Sequence, residues 1–403
     1  MIRRQYYLEQ LAREKDRPII KVITGMRRAG KSVLLFELFY DYLVLSGVRP
    51  SHIVKINLED MANIQLREAK ALYDFCVSKV KDKEKYYFLI DEIQYVEGFP
   101  DVVNSLNNMG CDVYITGSNS KLLSSDISTA LRGRSINIHV MPLSFMEYFD
   151  YVGGSPRKAL DDFLLYGGLP YVATLPDKES KVKYLKMIDE TVATKDIIER
   201  HGIKNAGVLE ALRNFLYSNI GAMVSVNKIA KTLSSTVGVK TTVDSLSNYL
   251  GFFEDAFLLY KVYRYDIKGK EYFKTLNKYY VADLGVRNAH LNFRQIEPTH
   301  ALENLVYLEL VKRGYSVDIG VNGEKEVDFV VNKGAETYYL QVAYSIADEE
   351  KRRTELASFR KIDDGYKKIV ITMDGDPFTD LGNGYRKMNI FDFLLNLEAL
   401  EEA

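Results

Sequence analysis

The sequence predicts an α/β protein: a parallel sheet built of strand–loop–helix units, then a helical middle, then a second α/β domain. Three observations carry this expectation. Short apolar runs such as Lys21-Val22-Ile23-Thr24 and Tyr86-Tyr87-Phe88-Leu89-Ile90 read as strands covered on both faces. After Leu143 the pattern turns helical, through Tyr184–Arg200 and Val208–Asn219. From residue 300 onward strands and helices alternate again.

A chain of 403 residues is too long for one ordinary core, so two to three domains are expected. Apolar residues make up 47% and charged residues 27%, which is globular and not disordered. No stretch reaches the roughly 18 unbroken apolar residues of a membrane helix. The first residues, Met1-Ile2-Arg3-Arg4-Gln5-Tyr6-Tyr7, carry two basic side chains without an apolar run behind them, unlike a signal peptide. A cytoplasmic protein with no membrane partner is the expectation. The two cysteines, Cys76 and Cys111, sit among apolar neighbours and read as buried free thiols. The five histidines are scattered and form no metal pattern. With a net charge of −1, contact with nucleic acid has to come from a local patch.

The first strand runs into Gly25-Met26-Arg27-Arg28-Ala29-Gly30-Lys31-Ser32, followed by the helix-like Val33-Leu34-Leu35-Phe36. This is GxxxxGKS in the strand–loop–helix setting that it needs. The glycines let the backbone curl so that N–H groups from Gly25 through Val33 point at phosphates, and the helix start adds positive potential. Lys31 is expected on the outer phosphates and Ser32 on magnesium. The second strand ends in Asp91-Glu92: Asp91 is expected to hold magnesium through Ser32 and water, and Glu92 to polarise the attacking water. A third strand, Asp112–Thr116, ends in Gly117-Ser118-Asn119-Ser120, where Ser118 or Asn119 is a candidate sensor of the outer phosphate. Leu131-Arg132-Gly133-Arg134 precedes the strand-like Ile136–Val140. Arginine is permanently charged and forks onto oxygens, which makes Arg134 the first candidate for an arginine finger given to a neighbouring subunit, and Arg132 the second. A surface ion pair is the alternative for both.

Together with Pro142-Leu143-Ser144-Phe145-Met146-Glu147, these motifs resemble the AAA-type ATPases of bacteria and archaea, in particular those that end in a nuclease-like domain. The resemblance covers nearly the whole chain; its ATPase motifs are specific and its C-terminal motifs weak. It implies an AAA+ core over 1–150 that binds ATP with Mg2+ and hydrolyses it. It further implies a helical lid over 151–222, a winged helix over 223–295, and a degenerate PD-(D/E)XK nuclease-like domain over 296–403. The adenine base is an implication of the resemblance, since the loop reads only phosphates. Lys195 or Arg200 in the lid is a candidate phosphate contact.

Val226–Leu233, a Ser-Ser-Thr-Val-Gly turn and Lys240–Leu250 have helix–turn–helix spacing. Strands are expected at Leu258–Tyr265 and Lys278–Asp283, with Lys268, Lys270 and Lys274 between them as a basic wing. Residues 225–280 hold nine Lys/Arg against five Asp/Glu, a surplus of four that suits DNA phosphates or an ordinary solvated face. Farther on, a helix with Glu303 precedes a strand with Asp328, the order found in metal nucleases. The next strand departs from that layout: Gln341 stands where a carboxylate is wanted and Ala343 where a lysine is wanted. The nuclease site is therefore expected to be lost and the fold kept for binding, with Glu326 a substitute ligand only if activity survives. The expected function is a nucleotide-driven switch or motor, with double-stranded DNA at the winged helix and further copies of the chain as candidate partners. The alternatives are a nucleotide-gated interaction module without nucleic acid, and an ATP-gated Mg-dependent nuclease.

Overall fold

Strands that are apolar on both faces need cover on both faces, and the first sheet is built around three of them. Its strands are β1 (Ile20–Thr24), β2 (Ile53–Asn57), β3 (Tyr87–Asp91), β4 (Asp112–Gly117) and β5 (Ser135–His139). All pair in parallel, in the order β2-β3-β4-β1-β5. β1, β3 and β4 are buried along their whole length, as central strands of a parallel sheet must be. Because the strands are parallel, the loops after β1, β3 and β4 all leave from one edge, where ligands of open α/β sheets bind. β4 separates the strand that feeds the glycine loop from the strand that ends in Asp91-Glu92.

This computed structural model describes residues 2–203, 205–236, 238, 241–375 and 379–402, without the side chains of Thr236 and Lys274. The chain divides into two units, Met1–Pro142 with Asp255–Phe257, and Leu143–Glu254 with Leu258–Ala403. Segment 143–150, expected in the core domain, groups with the second unit. Ser144 and Glu147 form a capping box at the start of helix Phe145–Val152. Leu143 N–H donates to the Gly168 carbonyl at 2.7 Å, and Phe145 packs edge-on against Phe163.

The second unit begins with helices, among them Pro156–Tyr166, Lys178–Thr191 and Ala206–Ser218. The pair Val226–Thr236 and Val243–Asp255 occupies the helix–turn–helix segment. Val237 of the expected turn, and Lys240 at the expected start of the second helix, lie outside the described residues.

Among the described residues, eight further strands form one mixed sheet. They are β6 (Leu259–Asp266), β7 (Glu271–Val281), β8 (Ser316–Asn322), β9 (Lys325–Lys333), β10 (Glu336–Ala343), β11 (Lys367–Thr372), β12 (Thr379–Gly382) and β13 (Tyr385–Asn389). Their order is β12-β13-β11-β10-β9-β8-β6-β7. The two strands expected as a wing are β6 and β7, and β6 pairs with β8 through Arg264, Tyr265 and Asp266. The expected boundary at 295/296 thus falls within one continuous sheet. Helix Pro298–Lys312 lies against β7, β8 and β10. No helix among the described residues is long and apolar enough to cross a membrane.

At the amino end of the first sheet, the fully buried Lys21 pairs with Asp112. Asp112 also accepts from the Asp16 N–H at 2.8 Å and the Tyr114 hydroxyl at 3.0 Å. Burial pushes the Lys21 amine below its ordinary pKa, against the pull of Asp112. Removing one partner of such a pair strands the other. Lys21→Met is expected to cost about 3 kcal/mol in denaturant unfolding, with much of the loss recovered in Lys21→Met/Asp112→Leu. A loss in the double variant equal to the sum of the losses in Lys21→Met and Asp112→Leu would show that the pair is not coupled.

Candidate active site

The glycine loop follows β1 and its shape depends on residues without a side chain in the way. Gly25 has φ 144°, and a Cβ there would stand 2.0 Å from the Val140 carbonyl oxygen. Gly30 takes the left-handed conformation, φ 95°, directly before the helix that opens at Lys31. That helix runs as Lys31–Val33, a wider π turn Leu34–Phe39, and Tyr40–Leu45. The Lys31 ammonium is buried and donates back to the carbonyls of Gly25 at 2.8 Å and Met26 at 3.0 Å. Arg27 lies 3.5 Å from Glu59. Arg28 has a left-handed backbone, φ 68°.

Ser32 reaches across to the end of β3, where its hydroxyl donates to Asp91 Oδ2 at 2.7 Å. Thr116, at the end of β4, donates to the other oxygen, Oδ1. Asp91 is therefore held from both sides while buried. Burial pushes its carboxyl above the usual range, with Glu92's charge adding and the two hydroxyls and Lys31 opposing. A buried carboxylate with hydroxyl neighbours is an all-oxygen donor set, which fits a hard cation such as Mg2+. Ser32 and Asp91 are the residues that would hold it. Next to Asp91, Glu92 has a left-handed backbone, φ 57°, and its N–H donates to Thr116 Oγ1 at 3.0 Å. Ser118 donates to Glu92 Oε2 at 3.3 Å. Asn119 instead spends its side chain capping a turn, accepting from the Lys121 N–H at 2.8 Å.

Arg134 is exposed at the amino end of β5 and donates to Asn108 Oδ1 at 3.1 Å. β5 runs parallel to β1, so this end of the sheet is opposite to the glycine loop of the same chain. Arg132 is exposed with φ 56°. In the second unit, Lys195 is exposed and Arg200 pairs with Asp196 on its own helix at 3.4 Å.

Sequence reasoning missed two groups beside the loop. The Arg4 guanidinium is buried and donates to the carbonyls of Ala29 at 2.8 Å and Met141 at 2.6 Å, tying the loop to the exit of β5. Its signal was slight, an arginine ahead of an amphipathic helix. His139 Nδ1 lies 3.3 Å from Thr24 Oγ1. Its enclosure and the charge of Lys31 lower its pKa to about 4, so it is neutral at physiological pH.

A second cluster lies in the other unit. Glu303 accepts from the Lys278 ammonium at 2.8 Å and the Tyr280 hydroxyl at 2.6 Å. Lys278 also pairs with Glu326 at 2.6 Å. Asp328 accepts from the Val342 N–H at 2.8 Å. Gln341 donates to Glu355 at 3.1 Å and accepts from Ser358 at 3.2 Å. Ala343 leaves the position wanted for a lysine without one, but β7 brings Lys278 among these carboxylates, from a strand expected in a separate wing. This also removes Lys278 from the solvated basic surface. Among the described residues no group of three or more His, Cys, Asp or Glu side chains is arranged to hold a metal ion.

The parallel sheet order and the convergence of the glycine loop with the ends of β3 and β4 define an α/β AAA domain, and residues 17–149 match the family described as "AAA domain". Residues 157–297 match a "Domain of unknown function (DUF8612)". The chain belongs to the same family as an uncharacterized protein of Haemophilus influenzae, to which it is 39% identical over 402 residues, 98% of this chain and 99% of that one. An uncharacterized protein of Methanocaldococcus jannaschii is 31% identical over 391 residues, 93% of this chain and 85% of the other. Among solved structures, Cdc6p from Pyrobaculum aerophilum aligns over 73% of this chain and 97% of its own, with 11% identity and a TM-score of 0.29. That score is too low for a comparison of sites.

The Lys278 cluster makes a prediction about pH. Burial pushes Glu303 up, but the Lys278 charge, with hydrogen bonds from Lys278 and Tyr280 and the His300 ring 3.9 Å away, holds it below its usual value. Glu303 therefore adds stability at neutral pH that is lost as pH falls through its folded pKa. Asp328 is pushed well above its usual value by burial and by Glu303. In Lys278→Met both carboxyls are expected above their unfolded values, so ionising them opposes folding. The variant is expected to lose about 3–5 kcal/mol at neutral pH, with the gap to wild type narrowing as the solution is acidified. A gap that stays constant with pH would mean that Lys278 acts by packing alone.

Proposed function

We propose that this chain is an ATP-hydrolysing AAA+ switch. The single observation that carries the reading is the buried Asp91 held at once by Ser32 of the glycine loop and Thr116 of β4. Backbone N–H groups of residues 25–33 and the Lys31 side chain bind the phosphates, with Lys31 exchanging its two loop carbonyls for phosphate oxygens. Ser32 and Asp91 hold Mg2+, which supplies charge neutralisation at the phosphates. Glu92 orients the attacking water and accepts its proton. Ser118 sits within reach of Glu92 and senses the outer phosphate. Arg134, at the far end of β5, serves the site of a second copy rather than its own.

The candidate partner is double-stranded DNA, contacted through the helix pair Val226–Thr236 and Val243–Asp255 and the exposed Lys228, Lys231, Lys268 and Lys270. Residues 296–403 serve as a degenerate nuclease-like binding fold. The burial of Lys278 favours a second reading, a nucleotide-gated protein-binding module, because it takes one positive charge off the surface available to phosphates.

The test is ATP hydrolysis by wild type, Lys31→Ala and Glu92→Gln, with and without duplex DNA at low salt. Glu92→Gln is expected to bind ATP and to turn over at least about a hundredfold slower. Lys31→Ala is expected to be inactive. Unchanged turnover in Glu92→Gln removes Glu92 from its role. Stimulation by duplex that fades as salt rises supports DNA; turnover indifferent to duplex supports the protein-binding reading.

A further inference from the structure

Glu92 is held by a neighbour that the site described so far does not use. Two residues on, in the tight turn Ile93–Tyr95, Gln94 donates its side-chain amide to Glu92 Oε2. Ser118 donates to the same oxygen at 3.3 Å. Among the described residues no hydrogen bond reaches the other oxygen, Oε1. A carboxylate only accepts, so the amide nitrogen of Gln94 must face it. The opposite end of the same amide, Oε1, is buried and has no partner among the described residues. A buried acceptor without a donor is unfavourable, because it has given up its hydrogen bond to water and gained none. The side chain thus keeps its orientation against a cost, and the contact with Glu92 is what offsets it.

The surroundings are shaped to this placement. A Cβ on Gly117 would lie 2.6 Å from Gln94 Oε1 and 2.2 Å from Leu122 Cδ1. The missing side chain at the end of β4 is therefore the space that Leu122 and Gln94 share. Ile93 is fully buried and anchors the turn, while the left-handed backbone of Glu92, φ 57°, swings its carboxylate toward Ser118 and Gln94. Non-glycine residues adopt that conformation only when their surroundings hold them there.

We propose that Gln94 is a positioning residue for hydrolysis: with Ser118 it fixes Glu92 by one carboxylate oxygen and leaves the other open to the attacking water. This rests on the hydrolytic reading of Glu92 above. Gln94 touches neither phosphate nor water in this role; it acts through Glu92. A flexible carboxylate would spend most of its time out of line with the water, and lost alignment of a catalytic group lowers turnover without weakening substrate binding.

The test is a double-mutant cycle on the full chain, with fluorescent-nucleotide affinity measured beside single-turnover hydrolysis. Gln94→Met keeps the length and volume of the side chain and removes the donor. It is expected to lower kcat by about ten- to a hundredfold with KM and nucleotide affinity within about twofold of wild type. In a Glu92→Gln background the same substitution is expected to have less than about a twofold effect, because residues acting through one group are non-additive. Full additivity, or a loss confined to nucleotide affinity, overturns the assignment. Gln94→Asn, which keeps the amide on a shorter arm, guards against misfolding: nucleotide affinity of wild-type strength with lowered kcat supports the proposal, and wild-type kcat overturns it. Wild type without any ATPase activity overturns the hydrolytic reading itself, whereas active wild type with unaffected Gln94→Met overturns only the role of Gln94.

Discussion

A carboxylate buried at the end of an all-apolar strand has to find its partners nearby, and in the first unit that need fixes the geometry of everything around it. Asp91 cannot be left bare at the edge of β3, because an unpaired buried charge is among the costliest features a fold can carry. It takes Ser32 on one oxygen and Thr116 on the other. Those two residues sit on the helix after β1 and on β4, so one side chain ties together three consecutive positions of the sheet. The glycine loop is pinned at its far end by Ser32 and at its back by Arg4, whose guanidinium holds Ala29 and Met141. Glu92 comes along with this arrangement, since its own N–H shares Thr116 with Asp91.

The second unit answers a similar need in another way. Glu303, Glu326 and Asp328 gather around an ammonium, and Lys278 supplies it from the edge strand β7. A cation is present in the place where acidic groups converge, but it is covalently part of the chain. Burial alone would push Lys278 down, and its carboxylate neighbours instead hold it up. Hydroxyls meet the carboxylate in one unit and an ammonium meets the carboxylates in the other. The hydroxyls carry no charge of their own to set against the carboxylate; the ammonium does, permanently.

Much of the first unit was legible because buried parallel strands and the glycine loop are local signals. β1, β3 and β4 read directly as apolar runs, and Ser32, Asp91 and Glu92 follow from their positions at the ends of those runs. β2 did not stand out: Ile53–Asn57 is a sheet edge, with Val54, Lys55 and Asn57 less than fully buried, so its composition is mixed. Arg4 was illegible because its partners lie 25 and 137 positions away and leave no periodic trace. Gln94 looked like any polar residue in a turn. The strand β6 was found at nearly its true place and β7 only over its last four residues, 278–281, and the pairing of β6 with β8 was not foreseen, since a hairpin reads the same whether it ends as a wing or joins a sheet. For the same reason Lys278 was counted with the solvated lysines. Gln341 and Ala343 were read as breaks in a metal-nuclease pattern, and a pattern fixed to one strand does not look for a lysine on another.

Lys278 also bears on how this chain can be divided. A fragment beginning at 296 would keep Glu303 and Asp328 while losing their counter-charge, and would expose along β8 the row of backbone groups that β6 covers. Residues 259–281 and 298–389 therefore share one sheet and one charge cluster, and neither stretch completes them alone. Sequence segments that look like interchangeable modules can share a single charge balance, and a cut between them separates the charges before it separates any function.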